Sequence, residues 1–193
     1  MSKSVYESPS ASGTTKRHLI TVLVDNEPGV LARVVGMFSG RGYNIDSLNV
    51  AEVITKEHLS RITIVTHGTN DVVDLIRKQL MTIVPVHSVT NLEEEGSPIE
   101  AEVALVYLYV NDSNKKNALD VCDIYRARKI ENEHNTTVFE IAGTSERINS
   151  FIKEITKIVN IEIVRSGPIA ISSLNRDEEE KWESIMIGTL ILI

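Results

Sequence analysis

Cysteine is nearly absent from the sequence, with Cys122 the single example in 193 residues. One cysteine allows no disulfide within the chain and cannot supply a zinc centre, and such usage is typical of a reducing compartment. Long apolar runs are lacking too, since no stretch approaches the ~20 residues that a membrane-spanning helix requires. These absences predict a cytoplasmic protein that does not cross a membrane.

Positive charge is also scarce, with 20 Lys and Arg against 27 Asp and Glu and a net charge of −7. Proteins that bind nucleic acids usually present a basic face. RNA-recognition domains, which share the element order found below, stack bases on aromatic residues of their central strands. The corresponding strands here, residues 19–24 and 59–67, contain no Phe, Tyr or Trp. We therefore expect no nucleic-acid partner.

Catalytic and metal-binding patterns are missing as well. There is no phosphate-binding glycine loop and no Gly-x-Ser-x-Gly elbow. The apolar neighbours of Cys122 at helical spacing predict a buried thiol and not a nucleophile. The five histidines are scattered without the i, i+4 spacing of a helical metal site, at His18, His58, His67, His87 and His134. We predict no catalytic residue and no metal site.

The most informative stretch of the chain is DNEPGVL at residues 25–31. It follows a β-branched strand pattern at 18–24 and precedes apolar residues at helical spacing. Gly29 would leave the first N–H groups of that helix uncovered, and the helix dipole is positive there. This favours a binding position for a small carboxylate. The alternative is a capped strand-to-helix turn with no ligand.

The order of predicted elements is strand-helix-strand-strand-helix-strand, and it occurs twice. In the first half we predict strands at 18–24, 44–53, 59–67 and 84–92, and in the second at 102–110, 128–133, 136–142 and 161–165, with a hairpin turn at Asn135. This indicates an α+β protein with two ferredoxin-like βαββαβ domains in tandem. We divide it into a disordered leader (1–16), a first domain (17–92), a linker (93–99), a second domain (100–172) and a tail (173–193).

Two features predict surfaces for contact. The strands at 18–24 and 103–110 are apolar on both faces, although a sheet of this order carries helices on one side only. The other face would be an exposed apolar patch, and we expect a homodimer to cover it. In the tail, Trp182, Ile185 and Leu190 recur at helical spacing after a charged run. This segment is expected to dock on the second domain or to contact a partner protein.

The residues resemble a known family. DNEPGVL at 25–31 is similar to the signature turn of ACT domains, small modules that bind amino acids and regulate metabolic enzymes. RVVGMFSGRGYNIDSL at 33–48 is more specific and resembles the regulatory small subunit of acetohydroxyacid synthase, also called acetolactate synthase. SRITIV at 60–65, AGTS at 142–145 and RSG at 165–167 fit the same family. The similarity covers about residues 16–172 and identifies the first domain as an ACT domain.

The resemblance implies a chain without catalysis of its own that serves branched-chain amino acid biosynthesis. It would activate the catalytic (large) subunit of acetolactate synthase and confer feedback inhibition by valine. Thiamine diphosphate, Mg²⁺ and FAD are expected in that catalytic partner and none of them in this chain.

The resemblance also implies where valine binds, namely between two ACT domains of a homodimer. One chain would contribute Asn26, Gly29, Val30 and Leu31, and the neighbouring chain would contribute Asn44 and Ile45. Three further positions would lie at or near the site, Pro28, Ala32 and Ala51.

Two alternatives remain at this stage. One is a small ferredoxin-like enzyme of the acyl-phosphate hydrolase type, for which Arg33 and Asn26 are the available phosphate ligands. The other is a stand-alone amino-acid sensor without an enzyme partner.

Overall fold

The first half of the chain folds as one α+β unit. In the computed structural model, which describes residues 14–133 and 136–173, this half contains four strands and two helices. The strands form an antiparallel sheet of order β2-β3-β1-β4. The elements are β1 (Lys16–Asp25), α1 (Val30–Gly40), β2 (Ser47–Ile54), β3 (Leu59–Gly68), α2 (Asn70–Leu80) and β4 (Val86–Asn91).

The first core lies between the sheet and its two helices. Helix α1 buries Val30, Val34 and Phe38, which recur every four residues and therefore share one face. Helix α2 does the same with a second apolar stripe. These helices cover alternate residues of the two central strands, including Ile20, Val22 and Val24 of β1. The fold class predicted for this half is confirmed.

The second half repeats the plan with its own core. Its main sheet has the order β6-β7-β5-β8, and its core contains Val106, Cys122, Phe139 and Phe151. An additional short strand, β9, pairs with the beginning of β5. The elements are β5 (Ile99–Tyr109), α3 (Lys115–Ile124), β6 (Arg128–Glu133), β7 (Thr136–Gly143), α4 (Ser145–Ile155), β8 (Asn160–Arg165) and β9 (Ile169–Ile171).

Several predicted boundaries differ from the structure. Strand β2 begins three residues later than predicted, because residues 44–46 form the connection out of α1. Strand β4 begins at Val86, after Pro85, whose nitrogen cannot donate to a sheet. Strand β5 begins at Ile99, inside the predicted linker, because β9 provides its first residues with a partner. Strand β9 itself was not predicted.

The face of the first sheet opposite its helices is partly covered by the same chain. The strand register places Ser47, Val65 and Leu19 in one row across this face. Ala170 of β9 packs with Leu19, Val65 and Leu92, and all four residues are buried. The expectation that a second copy covers this face is therefore wrong for that part of it.

Polar contacts also join the two domains. Arg17 of β1 donates to Glu100 of β5 over 2.7 Å. Gly167 lies so close to Ser47 that a Cβ on the glycine would sit 2.1 Å from the serine Oγ. The chain thus uses both apolar and polar residues to fix one domain against the other.

A buried carboxylate lies next to this contact. Glu102 is 2% exposed and accepts two hydrogen bonds from the Arg165 guanidinium, at 2.6 and 2.7 Å. Ser145 donates a third, at 2.8 Å. The Arg165 hydrogen bonds, supported by Ser145, hold the pKa of Glu102 below its usual range, although burial acts in the opposite direction. Glu102 is therefore an ionised, satisfied group in the fold.

Some predictions concern segments that the structure does not describe. Most of the proposed leader (residues 1–13), the hairpin turn at Asn135 and the tail from residue 174 lie outside the described residues. Within residues 14–133 and 136–173, no helix has both the length and the apolar character needed to cross a membrane.

Candidate functional site

The turn between β1 and α1 leads from a strand into a helix, as the sequence predicts. Gly29 is the N-cap residue of α1 and adopts a left-handed conformation, with φ 89° and ψ −9°. A residue with a Cβ would be strained there, so glycine is the residue that this turn favours. No side chain caps this helix. The helix therefore begins without the polar group that usually covers its first turn.

The first N–H groups of α1 differ in whether they have partners. Val30 donates to the Glu27 carbonyl oxygen over 3.4 Å, and Arg33 donates to the Gly29 carbonyl oxygen over 3.0 Å. The main-chain hydrogen bonds of the described residues include none from the N–H of Leu31 or Ala32. Two donors thus remain at the positive end of the helix dipole, where an anion is stabilised.

Arg33 adds a cation to this helix start. Its Nη2 lies 3.3 Å from Glu27 Oε1, its Nη1 donates to the Val84 carbonyl oxygen, and Nη2 would be 3.9 Å from a Cβ on Gly29. Sequence reasoning considered Arg33 only as a phosphate ligand. Arg33 follows Gly29 by four residues, and helical side chains lean toward the N-terminus of the helix. The sequence could therefore have predicted that the Arg33 side chain lies over the turn at Gly29. With its guanidinium tied to Glu27 and Val84, Arg33 does not suit a free phosphate site.

The predicted side chains at this end of α1 differ in exposure. Asn26, Pro28 and Ala32 are exposed, and Leu31 is 40% exposed. Val30 is 3% exposed and belongs to the first core. Its side chain does not line an outward-facing pocket in this chain, so only its main chain is available to a ligand there.

The second group of predicted residues lies after the other end of α1. Asn44 is exposed, and Ile45 packs against the first core. This connection is held to β3 by two hydrogen bonds, from Thr66 Oγ1 to the Asn44 carbonyl oxygen at 2.7 Å and from the Asp46 N–H to the Val65 carbonyl oxygen at 2.9 Å. The position of Asn44 is therefore well defined by the fold.

The two groups are far apart within one chain. Gly29 precedes the first residue of α1, whereas Asn44 follows its last residue, and the 11 residues of the helix rise about 16 Å. A free amino acid is much shorter than that distance. One chain therefore cannot bring Asn26 and Asn44 onto the same small ligand, whereas two chains side by side can.

Strand β2 and helix α1 carry exposed apolar side chains. Strand β2 is an edge of the first sheet, and its Val50 is 43% exposed. Val50 pairs with the core residue Ile62 and thus points to the side of the sheet that carries the helices. On α1, Leu31 and Val35 are 40% and 36% exposed and one turn apart. We call these three exposed residues, Leu31, Val35 and Val50, the α1–β2 surface; exposed apolar side chains on an edge strand and on a helix favour contact with another copy. Ala51 follows Val50 on β2 and is exposed, but its side chain points to the opposite face of the sheet.

Other groups give no sign of catalysis. Among the described residues, no set of three or more His, Cys, Asp or Glu side chains could hold a metal ion. Cys122 is fully buried, and this burial raises the pKa of its thiol to about 12. Because the thiolate is the reactive form, Cys122 does not suit a nucleophile.

Comparison with known proteins finds two matching families, one for each half of the chain. A family described as the AHAS small subunit-like ACT domain matches residues 20–88. A family described as the small subunit of acetolactate synthase matches residues 101–174.

Individual relatives cover most of the chain. The small subunit of acetolactate synthase isozyme 3 from Escherichia coli is 38% identical over 161 residues, which are 81% of this chain and 95% of the relative. The acetolactate synthase small subunit of Aquifex aeolicus is 32% identical over 172 residues, covering 89% and 88%.

A solved structure is also similar. The crystal structure of the acetolactate synthase small subunit from Thermotoga maritima superposes with a TM-score of 0.74 at 33% identity. The match covers 83% of this chain and 99% of the Thermotoga chain.

Proposed function

The chain belongs to the family of acetolactate synthase small subunits, and from this we propose that it confers valine feedback inhibition on the catalytic subunit of that enzyme and raises its activity. The proposed effector site is shared by two chains. Gly29 and its neighbours would come from one chain, and Asn44 and Ile45 from the other.

The chemistry of valine matches the groups available. Its carboxylate suits the N–H groups of Leu31 and Ala32, a contact worth about 0.3–1 kcal/mol from the helix dipole and up to ~2 kcal/mol if partly buried. The Arg33 guanidinium also lies near this helix start, where it is paired with Glu27. The ammonium requires acceptors, which the Asn26 and Asn44 amide oxygens can supply. The exposed Leu31 side chain offers an apolar wall for the isopropyl group.

The observation that carries this proposal is the position of the two residue groups at opposite ends of α1. A site that needs both can form only between chains, and the α1–β2 surface offers the apolar area for that contact. We therefore propose a homodimer in which valine binds across the two-fold axis. A ligand held by both chains can change the dimer and so act on a bound partner, with typical coupling of about 1–3 kcal/mol.

The partner in this proposal is the catalytic large subunit of acetolactate synthase. The reaction would take place there, with thiamine diphosphate, Mg²⁺ and FAD as cofactors of that subunit. The present chain would contribute regulation only, and we propose that it works in the cytoplasm with its partner.

Titration calorimetry tests the proposal directly. Valine, leucine and isoleucine are titrated into the purified chain, alone and with the catalytic subunit, and the mass of the assembly is measured by ultracentrifugation. We expect a dimer that binds one or more of these amino acids, and valine inhibition of the reconstituted enzyme. A monomer, or a dimer that releases no heat with millimolar valine, would contradict the shared site.

The enzyme assay separates this function from the stand-alone sensor. A regulatory subunit should co-purify with the catalytic subunit and raise its turnover. A chain that binds valine but has no effect on turnover would be a sensor without an enzyme partner.

A further inference from the structure

Asp46 connects two side chains beside the proposed effector site. Its Oδ1 accepts a hydrogen bond from the Asn44 amide nitrogen over 2.6 Å. Its Oδ2 lies 2.5 Å from His67 Nδ1. Neither Asp46 nor His67 appears among the residues that the family resemblance places in the site.

An ionised carboxylate can only accept hydrogen bonds. The Asn44 amide must therefore turn its nitrogen toward Asp46, which leaves its oxygen pointing away. An amide oxygen is an acceptor and an ammonium group is a donor. In this orientation Asn44 presents the atom that an amino-acid ammonium requires, whereas the reversed amide would present two N–H donors to it.

Two hydrogen bonds hold the main chain around Asn44 in place. Thr66 Oγ1 donates to the carbonyl oxygen of Asn44 at 2.7 Å. Two residues further along, the N–H of Asp46 donates to the carbonyl oxygen of Val65. The remaining freedom lies in the exposed side-chain amide, whose two orientations differ little in shape. In the observed orientation the amide nitrogen contacts Asp46.

His67 in turn holds Asp46. The imidazole, on the neighbouring strand β3, contacts the carboxylate oxygen that Asn44 leaves free. With one oxygen held by each partner, the carboxylate cannot rotate without losing a hydrogen bond. His67, Asp46 and Asn44 are thus linked by hydrogen bonds, from strand β3 to the amide that would face the ligand.

We propose that Asp46, held by His67, is a positioning residue that orients the Asn44 amide oxygen toward the ammonium group of a bound amino acid. The proposal rests on the proposed function above, since it assigns a role at that same site. Asp46 acts through Asn44 and does not itself contact the ligand.

Two substitutions of Asp46 test the orientation. Asp46→Ala removes the acceptor and lets the Asn44 amide reverse, so valine should bind about tenfold more weakly, the size expected for losing one oriented hydrogen bond. Asp46→Asn keeps an oxygen for Asn44 and offers its nitrogen to His67, so its affinity should stay within about threefold of the original chain. Valine affinity is measured by calorimetry on the full dimer.

A variant that lacks both Asn44 and Asp46 distinguishes a positioning role from a merely structural one, because its valine affinity shows whether the two residues act independently. If Asp46 acts through Asn44, then Asn44→Ala with Asp46→Ala should bind valine no more weakly than Asn44→Ala alone. Glu154→Ala is the matched control, because it removes a carboxylate paired over 2.7 Å with Lys157 in the second domain. Its valine affinity should be unchanged. Melting temperature and dimer mass show that each variant is folded.

Each other outcome has a distinct meaning. Full affinity in folded Asp46→Ala overturns the positioning role, and so do additive losses in the double variant. Equal losses in Asp46→Asn and Asp46→Ala would assign the effect to the charge of Asp46 and overturn it too. If the unaltered chain does not bind valine, the proposed function itself fails, which is a different result from these.

Discussion

Replacing Gly29 with aspartate tests the proposed carboxylate position most directly. The new side chain has room, since among the described residues other than its chain neighbours the nearest atom to its Cβ would be Arg33 Nη2 at 3.9 Å. The left-handed backbone at φ 89° costs a non-glycine residue roughly 1–2 kcal/mol. Aspartate is a good N-cap residue worth about 1 kcal/mol, so it recovers part of that cost. We expect the Gly29→Asp chain to fold.

The effect on valine should be much larger than the effect on stability. The introduced carboxylate occupies the helix start and leaves two negative groups about 4 Å apart once valine binds. Near a protein surface such a pair repels by about 4 kcal/mol, and the favourable helix–carboxylate contact of up to ~2 kcal/mol is lost as well. A repulsion of that size alone corresponds to roughly a thousandfold weaker binding.

Asparagine at the same position is the matched control. Gly29→Asn has nearly the same shape, tolerates the left-handed conformation and can cap the helix without charge. Both variants are compared by calorimetry with valine and by valine inhibition of the reconstituted enzyme. We expect Gly29→Asp to activate the catalytic subunit normally but to resist valine, with Gly29→Asn intermediate. Equal valine affinity in the two variants would refute a carboxylate at this helix start.

Three further predictions concern the dimer, the domain contact and pH. Val50→Lys places a charge on the α1–β2 surface and should weaken the dimer at least a hundredfold in ultracentrifugation, whereas a charge on a second-domain face should not. Gly167→Ala should destabilise the chain by about 1–3 kcal/mol in urea unfolding, and adding Ser47→Ala should restore only the part that comes from the clash with the serine oxygen, because the φ of 73° still strains an alanine. Glu102 has a lowered pKa, so its stabilisation is complete above the usual glutamate pKa of about 4.3 and is lost as pH falls through the lowered value. Glu102→Gln should therefore be less stable at pH 7 and lose less stability than the unaltered chain on acidification; parallel pH profiles would contradict this.

The sequence predicts those features that depend on local patterns. Helix α1 follows from apolar residues that recur every turn, whereas the left-handed φ of 89° at Gly29 is known only from the structure. The order of elements occurs twice along the sequence, and this repeat predicts two domains of similar fold. Asn44 and Ile45 entered through family resemblance, since nothing in their local pattern points to a ligand.

The features that sequence reasoning missed depend on contacts distant in the chain. Strand β9 has three residues, too few for any periodic signal, and it forms because the start of β5 lies beside it. The contact of Ala170 with Leu19 has the same origin. Arg33 was recognised as a nearby residue, but its direction depends on Glu27 and Val84. The connection of Asp46 to His67 requires the pairing of the α1–β2 connection with β3.

The covering of the first sheet by β9 has a consequence for how the protein is made. A ribosome releases the chain from its N-terminus, so β1, β3 and their helices can fold while β9 is still unsynthesised. During that interval Leu19, Val65 and Leu92 lack the cover that Ala170 of β9 gives them in the finished chain. The nascent first domain thus exposes apolar residues that the completed second domain covers. Premature termination between the two domains would leave a fragment with this apolar surface exposed, to which chaperones bind.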